Sequence, residues 1–385
     1  MVQITNQCNL RCPYCFVSKN VERMSYETLM DIVRYLINNA EESGVTPRMV
    51  FFGGEPLTEW DSLIVPIVKF IRDDYKKPFI LSMTTNGVLL TEDKVKFMHY
   101  HALESLYSID GGKETMAVNR PFCGGDNPSD TIEANLKTVL KYNSNATARI
   151  TLYQPTAGNF CADILHVQSL GFKRISVLPN LFDDWSDESI EAFRAQVEAY
   201  GEHLIAEFRA GRVPSVYEQY VRSFLNILME NKCVEEGYYQ TRRACMGSGK
   251  CGFGLRGFAT TDYQGNIYGC LHQEKLSPSS VFYLGNIYNG IDPSRTAALV
   301  DRCDEAPLGG LDCKNCKLSY TCDRGCVPNN YLYSGEFNVP PPMYCHYYRI
   351  LLDDAIRVCS VLGNEENELF REFFSKCVKD CNRGC

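Results

Sequence analysis

Along roughly its first 205 residues the chain alternates short apolar runs with segments whose apolar residues recur every three or four positions. The runs 2–5 (VQIT), 48–52 (RMVFF), 79–85 (FILSMTT), 105–110 (SLYSID), 148–154 (ARITLYQ) and 174–179 (RISVLP) have the length and composition of strands. Segment 25–44 (SYETLMDIVRYLINNAEESG) puts Leu29, Ile32, Val33, Leu36 and Ile37 on one helical face, with Ser25 as N-cap. Segment 62–74 (SLIVPIVKFIRDD) predicts a second helix, kinked at Pro66. Strands separated by helices predict an α/β fold with a parallel sheet or barrel. In such barrels chemistry collects at the C-terminal strand ends. Residues 187–232 are helical in pattern and rich in charge, and 206–240 is expected to bridge two halves. From Cys245 the texture changes to Gly, Cys and short strands, including a hairpin in TTDYQGNIYGC with Asp262 and Gly265 at the first and last places of a type I turn. The helical pattern returns in the last forty residues.

Composition narrows the function. A chain of 385 residues with 45% hydrophobic residues makes one large or two medium domains. The net charge of −8, without a Lys/Arg-rich run, disfavours a nucleic-acid partner. No run of eighteen apolar residues predicts a membrane span, and no secretory signal opens the sequence, so a cytoplasmic location is expected. Against that background the 19 cysteines stand out. A disulfide framework is not expected in the cytoplasm, so they point to metal binding or redox catalysis. Three fall in the first fifteen residues and thirteen lie from Cys245 onward.

The stretch QCNLRCPYC (7–15) spaces Cys8, Cys12 and Cys15 as C-x3-C-x2-C. Three thiolates can hold three irons of a 4Fe–4S cube and leave the fourth iron open. The bland alternative is a zinc knuckle that borrows a fourth ligand. This triplet directly after a first strand, with Tyr14 before the last cysteine, resembles the signature of the radical S-adenosylmethionine (SAM) enzymes. The resemblance implies a partial (β/α)6 TIM-like barrel over residues 1–205 and a cluster whose free iron chelates SAM. An electron then cleaves SAM to methionine and a 5′-deoxyadenosyl radical. It further implies SAM contacts from Tyr14, from Gly53, Gly54 and Glu55 of GGEP at the SAM ammonium, from Ser108 of SIDG and Arg149 of ARITL at the ribose or carboxylate, and from Leu178 at the adenine. A reduced donor such as flavodoxin or ferredoxin would supply the electron.

The later cysteines run Cys245-x5-Cys251, Cys270, then Cys313-x2-Cys316-x5-Cys322-x3-Cys326, then Cys345. These intervals resemble the SPASM extension of the same enzymes, expected over 241–350, with residues 351–385 as a C-terminal helix and Cys-rich tail. The resemblance implies two further 4Fe–4S clusters: a nearer one on Cys245, Cys251, Cys270 and Cys326, and a farther one on Cys313, Cys316, Cys322 and Cys345. Two four-cysteine zinc sites are the alternative, and with them a colourless, non-catalytic binding module. GFGLRG, with Gly252, Gly254 and Gly257, has the dinucleotide spacing but is not followed by a helix, so it is read as a loop.

The resemblance covers residues 1–350 and implies a peptide or protein substrate, most directly a ribosomal, Cys-rich peptide that is crosslinked. Anaerobic sulfatase maturation, which makes formylglycine, is the runner-up. The start of the triplet at Cys8 leaves no leader-binding domain before it, as in the sulfatase maturases. Leu271 stands where those enzymes carry a proposed Asp base, Phe52 precedes GGEP, and Met116 replaces a frequent His. No catalytic base is therefore assigned, although His272 is near. Cys377, Cys381 and Cys385 recur every four residues as incidental thiols, a further metal site, or a contact for a Cys-rich substrate. Cys123 is read as a loop thiol.

Overall fold

The computed structural model describes residues 1–213, 259–271, 277–305, 316 and 325–382. Six strands, β1 (Val2–Thr5), β2 (Arg48–Gly53), β3 (Ile80–Thr85), β4 (Leu103–Ser108), β5 (Thr147–Leu152) and β6 (Arg174–Pro179), pair in sequence order and all in parallel. Sequential parallel pairing needs a crossover after every strand. The crossovers are helical: α1 (Tyr26–Ser43), an irregular run from Pro56 to Tyr75 that includes α2 (Val65–Lys69), α3 (Glu92–Tyr100), α4 (Lys113–Asn119), α5 (Ser129–Tyr142) and α6 (Phe160–Ser169). Parallel strands joined in unreversed order by crossovers, whose hand is right by rule, have the topology of a partial (β/α)6 barrel with its helices on one side.

Local chemistry explains the elements. Ser25 caps α1 by accepting from the Thr28 amide at 3.0 Å, and Gly44 ends the helix at φ +67. The predicted kink at Pro66 is spread out: Pro66 sits in the first turn of α2, and wide π turns occupy Trp60–Ile64 and Phe70–Tyr75 on either side. Strand four begins and ends two residues earlier than the apolar pattern implied, at Leu103 and Ser108.

The sheet continues past β1. Strand β7 (Thr260–Thr261) lies parallel to β1, and β8 (Asn266–Tyr268), β9 (Tyr283–Asn286) and β10 (Gly290–Ile291) follow antiparallel, giving ten strands in the order β10-β9-β8-β7-β1-β2-β3-β4-β5-β6. The predicted turn is present: the Gly265 amide donates to the Asp262 carbonyl at 3.1 Å, and the Asp262 side chain accepts from the Gln264 and Asn266 amides. The edge of β1 is thereby covered.

Helix α7 (Asp187–Arg209) runs through the boundary expected at 205. After α8 (Pro293–Glu305) and α9 (Val327–Ser334), α10 (Pro342–Asn364) likewise runs through 350, and α11 (Glu368–Asn382) follows. Most of the expected bridge, the GFGLRG loop and His272 lie outside the described residues. Helix α10 packs along α7. Gly201 makes the close approach possible, because a Cβ there would stand 2.4 Å from the Asp354 carboxylate. Arg357 clamps the contact, donating to Asp354 and to the Glu198 carbonyl. Among the described residues no helix is long and apolar enough to cross a membrane.

Candidate active site

The chain leaves β1 at Thr5 and enters the cysteine loop. Leu10, 1% exposed, pins the loop inward through a bridge to Phe122, and the Arg11 amide donates to the Pro121 carbonyl at 2.8 Å. The Cys15 amide turns back onto the Cys12 carbonyl at 3.1 Å, and the Leu10 amide approaches Cys8 Sγ at 3.5 Å. Lys19 Nζ lies 2.8 Å from Cys15 Sγ. The three thiols converge closely enough to act on one another electrostatically. Burial pushes the Cys8 thiol up and the Cys12 thiol to about 11, so metal binding at this loop would release protons.

The fit to a cluster can be judged from the donors. Among the described residues, no three His, Cys, Asp or Glu side chains are set to grip a single metal ion. A lone zinc needs its sulfurs about 2.3 Å from one centre, whereas thiolates on separate corners of a cube stand farther apart. Three thiols from one loop at a cavity wall suit three corners of a cube with the fourth iron open to the cavity.

The glycines of GGEP line the cavity and also have a structural duty. Gly53 lies at φ +144, and a Cβ on it would fall 2.1 Å from the Thr5 carbonyl oxygen; one on Gly54 would fall 2.1 Å from that of Gln7. The close approach they permit is to the backbone entering the cysteine loop. The Gly54 and Glu55 amides donate to the Thr5 and Gln7 carbonyls at 2.8 and 2.7 Å. Glu55 is fully buried, and its carboxylate accepts from Leu57 N, Thr85 Oγ1 and Asn86 N. Its charge faces strand β3, with Gly53 and Gly54 at the cavity wall in its place.

The register of the sheet assembles the remaining expected residues. Ser108 of β4 is opposite Arg149 of β5, and Thr151 is opposite Leu178 of β6. Arg149 and Thr151 alternate with buried Ala148, Ile150 and Leu152, so they share the other face. Ser108, Arg149, Leu178, Tyr14, Gly53 and Gly54 all line one cavity of about 1000 Å³ together with the three cysteines. Phe52 lines it too, stacked on Phe16 at 6.0 Å. Met116 does not line the cavity: it is fully buried, its sulfur against the Asp110 amide.

A buried network missed in the sequence closes the floor. Asp110 accepts from Tyr14 Oη, Asn119 Nδ2, Arg120 Nη2 and the Thr151 amide. Tyr14 therefore offers the cavity its ring, with its hydroxyl committed. The fold alone joins Asp110 of SIDG to Tyr14 and Thr151.

The opposite wall comes from the C-terminal part: Cys326 at the start of α9, and Tyr344, Tyr347, Tyr348 and Leu351 from α10. Cys270 is buried at the end of the hairpin. Arg349 Nη2 lies 3.7 Å from Cys316 Sγ and also feels Cys345, which brings these two thiols to one neighbourhood. Cys245, Cys251, Cys313, Cys322 and Cys385 lie outside the described residues, and Cys377 and Cys381 fall within α11. Leu271, 6% exposed, is buried rather than set at the cavity.

Comparison with known proteins follows the same outline. Residues 2–156 match the Radical SAM superfamily. Over 377 residues the chain is 23% identical to the radical SAM cyclopropyl synthase TigE of Paramaledivibacter caminithermalis, spanning 91% of this chain and 72% of that protein. Over 350 residues it is 22% identical to the cysteine-type anaerobic sulfatase-maturating enzyme of Clostridium novyi, spanning 84% and 86%. The solved structure of anSMEcpe with bound AdoMet and the Cp18Cys peptide superposes with a TM-score of 0.71 at 21% identity, covering 94% of this chain and 98% of that one. At that identity the likeness is one of fold.

Proposed function

We propose, for a chain whose residues 2–156 form a radical SAM domain, that it is a peptide maturase which oxidatively crosslinks a short, ribosomally made, Cys-rich peptide. The observation that carries this reading is the shared cavity of about 1000 Å³, walled by the cysteine triplet, by the strand ends and by Cys326 with the tyrosines of α10. That volume is at the top of the range for small-molecule pockets, and it leaves room for a peptide segment beside SAM. When bound, the cluster supplies the electron that cleaves SAM to methionine and a 5′-deoxyadenosyl radical, which takes hydrogen from the peptide.

The chain's own residues would then do the following. Cys8, Cys12 and Cys15 hold the cluster. Arg149, beside Ser108, takes the SAM carboxylate, a pairing that guanidinium geometry suits. The backbone of Gly53 and Gly54 meets the ammonium, since the Glu55 carboxylate is occupied by three donors. Leu178 and the Tyr14 ring give apolar surface to the adenosine. Cys270 and Cys326, with Cys245 and Cys251, hold the nearer auxiliary cluster; Cys316 and Cys345, with Cys313 and Cys322, hold the farther. Eight protein ligands would leave no auxiliary iron open, so clusters so held would supply electron acceptance and not capture of substrate sulfur. A reduced ferredoxin or flavodoxin in an anaerobic cytoplasm supplies the first electron.

Formylglycine formation is the second reading, favoured by the match to the sulfatase-maturating enzyme over 84% of this chain and 86% of that protein and opposed by the apolar, buried Leu271. Mass spectrometry after anaerobic turnover separates the two. With SAM, reductant and the short Cys-rich peptide encoded nearest the gene, the peptide is expected to lose two hydrogens as 5′-deoxyadenosine forms. An unchanged peptide, with a sulfatase-derived Cys peptide losing its sulfur, would replace crosslinking by formylglycine synthesis.

A further inference from the structure

Lys19 lines the cavity and faces a thiol sulfur. The chain leaves Cys15, buries Val17 and turns back, and the half-buried Lys19 brings its Nζ to 2.8 Å from Cys15 Sγ. A lysine ordinarily turns to water or to a carboxylate, and the nearest carboxylate in the sequence is Glu22. Glu22 is held by other donors: it accepts from Asn6 Nδ2 at 3.1 Å, Asn20 Nδ2 at 2.7 Å and Tyr263 Oη at 2.8 Å. Among the described residues Lys19 forms no ion pair, and its hydrogen bond is the one to Cys15. Arg120, which also lines the cavity, differs, because Asp110 offsets its charge at 2.8 Å. No aspartate or glutamate among the described residues lines the cavity. The wall at the triplet therefore carries a lysine charge with no carboxylate beside it. That charge also reaches Cys8, whose thiolate it favours.

We propose that Lys19 is a positioning residue that raises the reduction potential of the cluster on Cys8, Cys12 and Cys15, through its N–H bond to the Cys15 sulfur and its uncompensated charge. The proposal rests on the reading that these cysteines hold a cluster. Reduction brings in one electron from the reduced donor, with no bond formed or broken. Net charge and hydrogen bonds to the sulfurs set the potential of such a centre. A cation hydrogen-bonded to a ligand sulfur stabilises the added negative charge more than a neutral donor does. Lys19 binds neither SAM nor peptide in this role.

The test is a redox titration followed by electron paramagnetic resonance on the full chain, purified anaerobically with its clusters. The signal that changes when SAM is added reports the N-terminal cluster. Lys19→Met removes the charge and the N–H groups at similar length, and Lys19→Arg keeps both. For Lys19→Met, at the wild-type midpoint, the reduced-to-oxidised ratio should fall about tenfold, equivalent to roughly 59 mV for one electron. Lys19→Arg should stay near the wild-type midpoint, and SAM binding by equilibrium dialysis should be unchanged in both. An unmoved midpoint in Lys19→Met overturns the inference. So does an equal shift in both variants, which loop packing explains, or a loss of SAM binding with the midpoint in place, which would assign Lys19 to SAM. Loss of iron from Lys19→Met also overturns it, since a residue that only sets the potential is not needed to hold the cluster. If Lys19→Met does not fold, by circular dichroism, Lys19→Gln, also neutral, decides in its place. A wild-type chain that binds no iron at the triplet overturns the underlying cluster reading instead.

Discussion

Gly54 and Asp163 carry the sharpest expectations at the scale of single residues. A methyl group on Gly54 would overlap the Gln7 carbonyl oxygen, so Gly54→Ala must push the cysteine loop away from β2. We expect overpacking of about 1–3 kcal/mol and a marked loss of iron from the N-terminal site, read by urea unfolding and iron assay. Normal iron content would contradict this. Asp163 accepts from the Gly112 amide and Thr115 Oγ1, and burial lifts its carboxyl from 3.8 to about 7. The folded chain therefore binds this proton more tightly than the unfolded chain. Its contribution to stability falls as pH rises from 3.8 to about 7 and is level above that. Asp163→Asn should flatten the fall in stability between pH 5 and pH 8, measured by urea denaturation; an unaltered slope would refute the assignment. The triplet was legible in the sequence because its three cysteines lie within eight residues. The partners of Glu55 and Asp110 were not. Glu55 meets Thr85 and Asn86 thirty and thirty-one residues on, and Tyr14 meets Asp110 ninety-six residues on. Only the sheet register brings those pairs together.

At the scale of elements, the strands of the barrel were legible because parallel strands covered by helices are continuous apolar runs. The ends were less so: SIDG reads on from β4, yet the strand stops at Ser108, where Ile109 and Asp110 turn inward. The pairing of α7 with α10 left no local trace, since a helical glycine at 201 gains meaning only when Asp354 and Arg357 arrive against it. Because α10 also brings Tyr344, Tyr347 and Tyr348 to the cavity, Gly201→Leu is expected to act at a distance. We predict a loss of about 1–3 kcal/mol in stability and a larger fall in peptide turnover than in SAM binding by equilibrium dialysis. Equal losses in both would argue against α10 as the peptide wall.

On the scale of the whole molecule, one sheet of ten strands among the described residues joins the barrel to the hairpin that ends at Cys270, and one cavity is walled by the barrel together with α9 and α10. Cys326 belongs to that wall, so Cys326→Ala should remove about four irons per chain yet leave SAM cleavage in place while crosslinked product disappears. Retained iron would exclude Cys326 as a ligand. The central claim is that the triplet in this cavity generates a radical from SAM. Its most direct test is to incubate the anaerobically purified chain with SAM and reductant and to quantify 5′-deoxyadenosine by liquid chromatography and mass spectrometry, beside Cys12→Ala. The account predicts 5′-deoxyadenosine from the wild-type chain and none from the variant. None from an iron-loaded wild-type chain, or equal amounts from both, would contradict it.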